Sequence, residues 1–174
     1  MIQMNNQKVR KLVLSALMAA LVYVATGIIQ IPSPVNGYVN LGDCFVLLSG
    51  WLLGPWYGGA AAGIGSMLVD LLSGYGHYVP GTLIIKGVDA MAAALIFRAM
   101  GRNKARMLTS GIVGETIMVA GYFLYASLIL GKGLAAAASI PGNIVQGIAG
   151  IAIAMALAMV LQKTKAGVLS GFQS

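Results

Sequence analysis

The sequence predicts an all-α, polytopic membrane protein: a single domain over residues 1–174, with six transmembrane helices and both termini in the cytoplasm. Three observations predict it. Of the 174 residues, 59% are hydrophobic and 9% charged, whereas water-soluble domains carry about 25% charged residues. The mean hydropathy is +0.87, and apolar runs of the length that crosses hydrocarbon recur along the chain. The basic residues fall in short runs between those apolar stretches, so the net charge of +7 reads as a topology signal. A nucleic-acid partner is not expected; a lipid bilayer is.

The helices are read at about 11–30, 41–54, 57–73, 80–100, 107–129 and 141–162. Helix 1 follows Lys8-Val9-Arg10-Lys11; it is too long for the apolar core of a signal peptide and is followed by further spans, so it is read as retained. Helices 2 and 3 are short for straight crossings. They are separated by Gly54-Pro55, which stops a helix, and by Trp56 and Tyr57, which suit a membrane interface. Lys8, Arg10 and Lys11 precede helix 1, Arg98, Arg102, Lys104 and Arg106 lie between helices 4 and 5, and Lys163 and Lys165 follow helix 6. The opposite loops (31–40, 74–80 and 130–140) hold Lys132 alone. The positive-inside rule puts the first three segments in the cytoplasm.

Several chemistries are excluded or disfavoured. One cysteine, Cys44, rules out an internal disulfide and a thiolate metal cluster; beside Asp43 in an apolar helix it reads as a small buried residue. The phosphate-binding pattern GxxxxGK[ST] is absent, since "GRNKAR" and "LGKGL" do not fit it. No catalytic group, metal site or cofactor is expected. An intramembrane hydrolase would have to pair Ser66 with His77, which lies in a loop beyond helix 3 with no group to orient it.

The stretch "GYVNLGDCF" raises the functional question, because Asp43 stands just inside an apolar run. All four acidic residues, Asp43, Asp70, Asp89 and Glu115, fall within predicted spans. An Asp at a helix centre costs roughly 2.5–3.5 kcal/mol to insert, so such groups are functional-site candidates by default. The predicted topology puts Asp43 near the outer start of helix 2 and Asp70 in the outer turn of helix 3. Lys86 and Asp89, three apart and on one face, lie on the outer half of helix 4. Glu115 is near the middle of helix 5 with Tyr122 two turns further out, and Asn143 and Gln146 share a face of the first turn of helix 6. These groups converge on an outward-opening ligand pocket. Structural roles compete at each position. Asn40 and Asp43 have N-cap and N3 spacing, Lys86 and Asp89 suit an internal ion pair, Asp70 can reach the interface unaided, and Asn143 and Gln146 can bond helices together. His77, a poor metal candidate as a lone histidine, shares the loop "SGYGHYVPG" with Tyr75 and Tyr78, which either stack on a flat ligand or anchor the loop.

Small residues four apart, Ala16 and Ala20 in helix 1 and Gly59 and Gly63 in helix 3, permit close helix approach in lipid. They pack the bundle internally or meet an external partner.

The block "YVNLGDCFVLLSGWLLGPWYGGAAAGIGSMLVDLLSGY", followed by "PGTLIIKG" and "GETIMVAGYFLY", resembles the substrate-binding (S) components of energy-coupling factor (ECF) vitamin transporters, in the branch of riboflavin-type, hydroxymethylpyrimidine and pyridoxine components. The resemblance runs from helix 1 through helix 6. It implies a six-helix fold that captures a vitamin or precursor at its outer face in a bacterial plasma membrane. It also implies a transmembrane coupling subunit driven by two ATPase subunits, on which the component topples within the membrane. Ala16 and Ala20 match the face that meets the coupling subunit, and "IPSPVNGYVN", with Pro32, Pro34 and Gly37, matches a gate over the pocket. In "GYFLYASLIL" Tyr125 and Ala126 stand where family members often carry a second acidic residue. Hydroxymethylpyrimidine or a B6 vitamer is the favoured cargo, with riboflavin, pantothenate or another micronutrient as alternatives. A different class of function, a carrier coupled to protons through Glu115 or Asp89, stays open, although no inverted repeat is evident.

Overall fold

The computed structural model describes residues 6–33, 36–101 and 105–163. Pro34, Arg102, Lys104 and Lys165 lie outside the described residues, as do both chain ends. Six α-helices occur in the expected order: α1 (Asn6–Ile28), α2 (Asp43–Leu53), α3 (Pro55–Leu72), α4 (Val79–Ala99), α5 (Arg106–Leu124) and α6 (Ile140–Lys163). Among the described residues, four helical stretches are long and apolar enough to cross a membrane: Gln7–Ile28, Val79–Ala99, Arg106–Ile129 and Gly133–Gln162. With 11 residues, α2 is about 16 Å long and cannot cross hydrocarbon alone.

The expectation of an all-α chain needs one correction. Residues expected as a loop between helices 1 and 2 form an antiparallel hairpin, β1 (Gln30–Ser33) against β2 (Gly37–Asn40), with Gln30 opposite Asn40 and Ser33 opposite Gly37. The cause is local: Ile31, Tyr38 and Val39 favour extended backbone, and Asn36 takes φ 56 immediately before Gly37. Asparagine is among the few residues other than glycine that tolerate positive φ, so Asn36 can lead the chain into β2. A second difference lies beyond α5, where the helix widens into a π-helical turn, Tyr125–Ile129, and the chain then forms a 3-10 stretch, Gly133–Ser139, leading into α6.

The core is organised around α2. Its sequence is apolar on all sides, and such a helix must be surrounded by protein; nine of its eleven residues are buried. It packs against α1, α3, α4 and α6, while α3 also lies along α1 and α4, and α5 along α4 and α6. Leu47, Leu48, Trp51 and Leu53 form the central cluster with Met18, Ala93 and Ala154. Gly50 lets α2 and α4 touch backbone to backbone, since a Cβ there would stand 2.4 Å from the Ala90 carbonyl oxygen. Gly54 takes φ 84, a conformation that favours glycine, and with Pro55 at the start of α3 it turns the chain back. These constraints fix where α2 begins, and so where Asp43 stands.

Candidate ligand-binding site

The hairpin covers one end of the bundle, and beneath it lies a cavity of about 40 Å³ walled by α1, both strands, α3, α4, α5, the 3-10 stretch and α6. That is room for about three water molecules. Of the residues singled out in the sequence, Asn40, Asp70, Tyr78, Lys86, Tyr122, Asn143 and Gln146 line it. Thr26, Ser33, Tyr38, Ser66, Thr82 and Ser139 also line it.

Two charged groups face this space, and each has a partner. The Lys86 ammonium pairs with Asp43 and sits 5.6 Å from the centre of the Tyr122 ring. The Asp70 carboxylate accepts a 2.5 Å hydrogen bond from the Tyr38 hydroxyl. Burial and the adjacent Asp70 raise the Tyr38 phenol well above its ordinary range, so it remains a donor. This bond ties β2 to α3. The Tyr38 ring also lies 4.7 Å from that of Tyr75, and the Tyr122 hydroxyl donates to Thr82 at 3.0 Å.

Gln146 joins three elements. Its side-chain oxygen accepts the Asn40 backbone N–H at 2.7 Å, and its amide donates to Asp43 Oδ2 at 2.7 Å. Asn40 and Asp43 do not form the expected N-cap pair. Asn40 ends β2, and its side chain accepts the Gly42 N–H at 2.8 Å. Gly42 occupies the N-cap position without any side-chain capping bond, and Asp43 is the first helical residue. Asn40 still belongs to the strand, three residues before the first helical residue, so the N-cap and N3 spacing forms no cap here.

A second correction concerns the acids. Of the four acids only Asp70 lines the cavity; Asp43 is held by Lys86 and Gln146, which do line it, and Asp89 and Glu115 cluster with Asp43 outside the lining. Their carboxylate oxygens come within 4.8 Å of one another. Lys86 pairs with Asp43 across to α2 rather than with Asp89 on its own helix. Asp89 is one turn further along and lies against Gly114 of α5, where a Cβ would stand 2.4 Å from its Oδ1. Glu115 lies against Gly147 and Gly150 of α6.

The loop between α3 and α4 divides. Tyr78 is buried at the cavity wall, with Lys132 donating to its hydroxyl at 3.3 Å. Tyr75 is half-buried, and His77 is exposed with its ring 4.7 Å from that of Tyr78. Ser66 is buried and its hydroxyl has no hydrogen-bond partner among the described residues, so the Ser66–His77 hydrolase pairing is not formed.

The small-residue faces also separate. Ala16 and Ala20 are exposed and line an apolar groove of about 850 Å³ between α1 and α3, with Tyr23, Trp56, Ala60 and Ile64. Gly59 and Gly63 point the other way. They are buried against α4, where a Cβ on Gly63 would stand 2.6 Å from the Leu83 carbonyl oxygen.

Sequence reasoning missed Thr26, Ser33, Tyr38, Thr82 and Ser139. The signal that was available for Tyr38 is the short β-favouring pair Tyr38-Val39 after Asn36-Gly37, since successive side chains of a strand face opposite sides. Isolated hydroxyls in apolar helices carry no such signal.

The model of the family described as "ECF-type riboflavin transporter, S component" matches residues 6–163. A protein of Pyrococcus woesei described as uncharacterised is 36% identical over 143 residues, covering 82% of this chain and 95% of its own. The thiamine precursor transporter HmpT of Lactococcus lactis subsp. cremoris is 30% identical over 172 residues, covering 98% of this chain and 97% of its own. A solved structure described as the S component of a bacterial ECF transporter matches with a TM-score of 0.66 at 21% identity, over 91% of this chain and 99% of that one; at that identity the match concerns the fold. With a family model spanning nearly all the described residues and two relatives of matching length, the chain belongs to the family of ECF-type riboflavin transporter S components.

Proposed function

We propose that the chain captures an unphosphorylated vitamin or vitamin precursor, hydroxymethylpyrimidine or a B6 vitamer, in the cavity under the hairpin. It then hands the cargo to a transmembrane coupling subunit driven by two ATPase subunits. The observation that carries the reading is the set of buried hydroxyls facing the cavity. Thr26, Ser33 and Ser66 line it, and none of their hydroxyl oxygens has a partner among the described residues. Buried polar atoms are nearly always satisfied, so orphans gathered at one cavity indicate a ligand that satisfies them. Asn143, Gln146 and Asp70 add amide and carboxylate acceptors suited to amine and hydroxyl donors on a flat ring. The ammonium at the wall is already paired with Asp43, so an anionic cargo finds no free cation there. That favours a neutral or cationic heterocycle over a phosphate ester or pantothenate. The Lactococcus lactis relative is described as a thiamine precursor transporter, which supports the precursor.

A cavity of about 40 Å³ is too small for a pyrimidine, so uptake requires the hairpin to move. The Tyr38–Asp70 bond would open first, because it is what joins β2 to α3 over the cavity. The basic residues Arg98 and Arg106 stand at the opposite ends of α4 and α5 from Tyr78 and Tyr122. That supports a pocket facing the exterior, in a plasma membrane, with both termini inside. The exposed Ala16–Ala20 face and its groove suit a helix of the coupling subunit, because small residues allow close packing in lipid.

The test is a thermal-shift screen of the purified chain against water-soluble vitamins and their precursors, including phosphorylated forms. A ligand specific to the native state raises the unfolding temperature by mass action. Hydroxymethylpyrimidine or a B6 vitamer is expected to do so and its phosphate ester is not. Uptake by proteoliposomes is expected only when coupling and ATPase subunits are present. No response to any compound, or uptake driven by a pH gradient without ATPases, refutes the proposal.

A further inference from the structure

We infer that Asp89 and Glu115 form a proton-binding site behind the ligand pocket, holding two protons in the folded chain while Asp43, of the three clustered carboxyl groups, carries the charge that pairs with Lys86. The inference starts from the geometry of the three carboxylates. They are buried, Asp43 and Asp89 completely and Glu115 to 5% exposure, with oxygens within 4.8 Å of one another. The charged and titratable groups around them are few. Lys86 and Asp89 come from α4, Asp43 and Cys44 from α2, and Glu115 and Tyr122 from α5. On the α6 side Gln146, Gly147 and Gly150 carry no charge. Three carboxylates facing one ammonium leave two negative charges uncompensated in a bundle built to sit in lipid.

The second observation is how the partners are shared. Lys86 binds one oxygen of Asp43 and Gln146 binds the other. Asp43 also opens α2, where the helix dipole favours negative charge. Asp89 and Glu115 receive none of this. All four of their side-chain oxygens are buried without a hydrogen-bond partner. Two like charges at such spacing with no donors cannot both persist. A metal ion fits poorly: calcium and magnesium seek six or more oxygen ligands, Asp43 is already engaged on both oxygens, and the Lys86 ammonium is adjacent. A proton requires one acceptor. Once bound, it converts the carboxyl into a donor that satisfies a neighbouring oxygen. Two protons thus remove both the excess charge and the unpaired acceptors, and leave Asp70 as the uncompensated charge at the pocket wall.

The experiment needs no cargo, so its outcome is independent of the transport proposal. The chain has only four acidic side chains, which makes the infrared carbonyl stretch of un-ionised carboxyl groups assignable. In the purified protein at about pH 6, well above the ordinary carboxylate range, that band is expected to be present. Asp89→Asn and Glu115→Gln are each expected to remove part of it, and Asp70→Asn to leave those parts in place. A wild-type protein without the band overturns the inference whether or not the variants fold. So does a band unchanged by Asp89→Asn and Glu115→Gln, or stoichiometric metal in the dialysed protein. A second readout is stability. The unfolded chain gives up these protons above about pH 4, while the folded chain keeps them, so stability falls as pH rises. The double variant is expected to flatten that slope, and a slope identical to wild type overturns the inference.

Discussion

Removing one oxygen atom, in Tyr38→Phe, tests whether the hairpin is the closure of the pocket. The lost bond is the 2.5 Å contact from the Tyr38 hydroxyl to Asp70. The ring packing against Tyr75 at 4.7 Å is kept. A hydrogen bond to a charged group contributes about 1.5–3 kcal/mol, and about 1.4 kcal/mol is tenfold in an equilibrium or rate. If the bond holds the pocket shut, Tyr38→Phe speeds ligand release roughly ten- to a hundredfold with little change in association. Release is measured by chasing radiolabelled ligand, the compound that responds in the thermal-shift screen, from purified protein with excess unlabelled ligand. Asp70→Asn isolates the contribution, because Tyr38→Phe in that background should add little. Unchanged release, or additive effects of the two substitutions, refutes the closure argument.

Two further perturbations follow from the geometry. Lys86→Met leaves the Asp43 carboxylate buried with only Gln146 as a donor; breaking such a pair costs about 3–5 kcal/mol. Thermal unfolding in detergent should show a large loss, and Asp43→Asn in the same chain should recover most of it. Ala20→Leu places a larger side chain in the groove between α1 and α3. ATP-driven uptake with partner subunits should fall at least about tenfold through lost helix packing, while ligand affinity of the isolated chain stays unchanged.

Much of the fold was legible because hydrophobic length and charge placement are properties of sequence. All six helix positions were recovered within a few residues, and Gly54-Pro55 correctly separates α2 from α3. The site was legible as a set of residues but not as a geometry. Lys86 and Asp89 share a helical face at spacing three, yet a lysine side chain reaches across to another helix as readily as along its own. Its partner, Asp43, lies 43 residues away in sequence. Gly59 and Gly63 have the same spacing as Ala16 and Ala20, and periodicity alone does not say which face meets protein and which meets lipid. The structure turns the first pair onto α4 and leaves the second exposed. Tyr38 was hard to place for a different reason: its role depends on the register and the inward face of a four-residue strand, which so short a run specifies weakly.

The shortness of α2 accounts for the division of labour among the acids. Because the hairpin delivers the chain into the bundle at Asn40, α2 begins among helices that are already well under way. Asp43 in its first turn meets Lys86, seven residues into α4, and Gln146, six residues into α6, which is about 10 Å along either axis. A longer helix 2 would have carried its first turn out to the level of Tyr78, away from both donors. Starting late gives Asp43 three sources of support at once: an ammonium, an amide and the positive end of a helix. Asp89 and Glu115, in the interiors of α4 and α5, have their own backbone donors committed to helical bonds and receive none. One segment, "GYVNLGDCF", therefore supplies the phenol at the cavity mouth, the backbone N–H that orients Gln146, and the carboxylate that holds Lys86 at the wall. The carboxylate at its end belongs to the pocket through the lysine it holds rather than by facing the cavity.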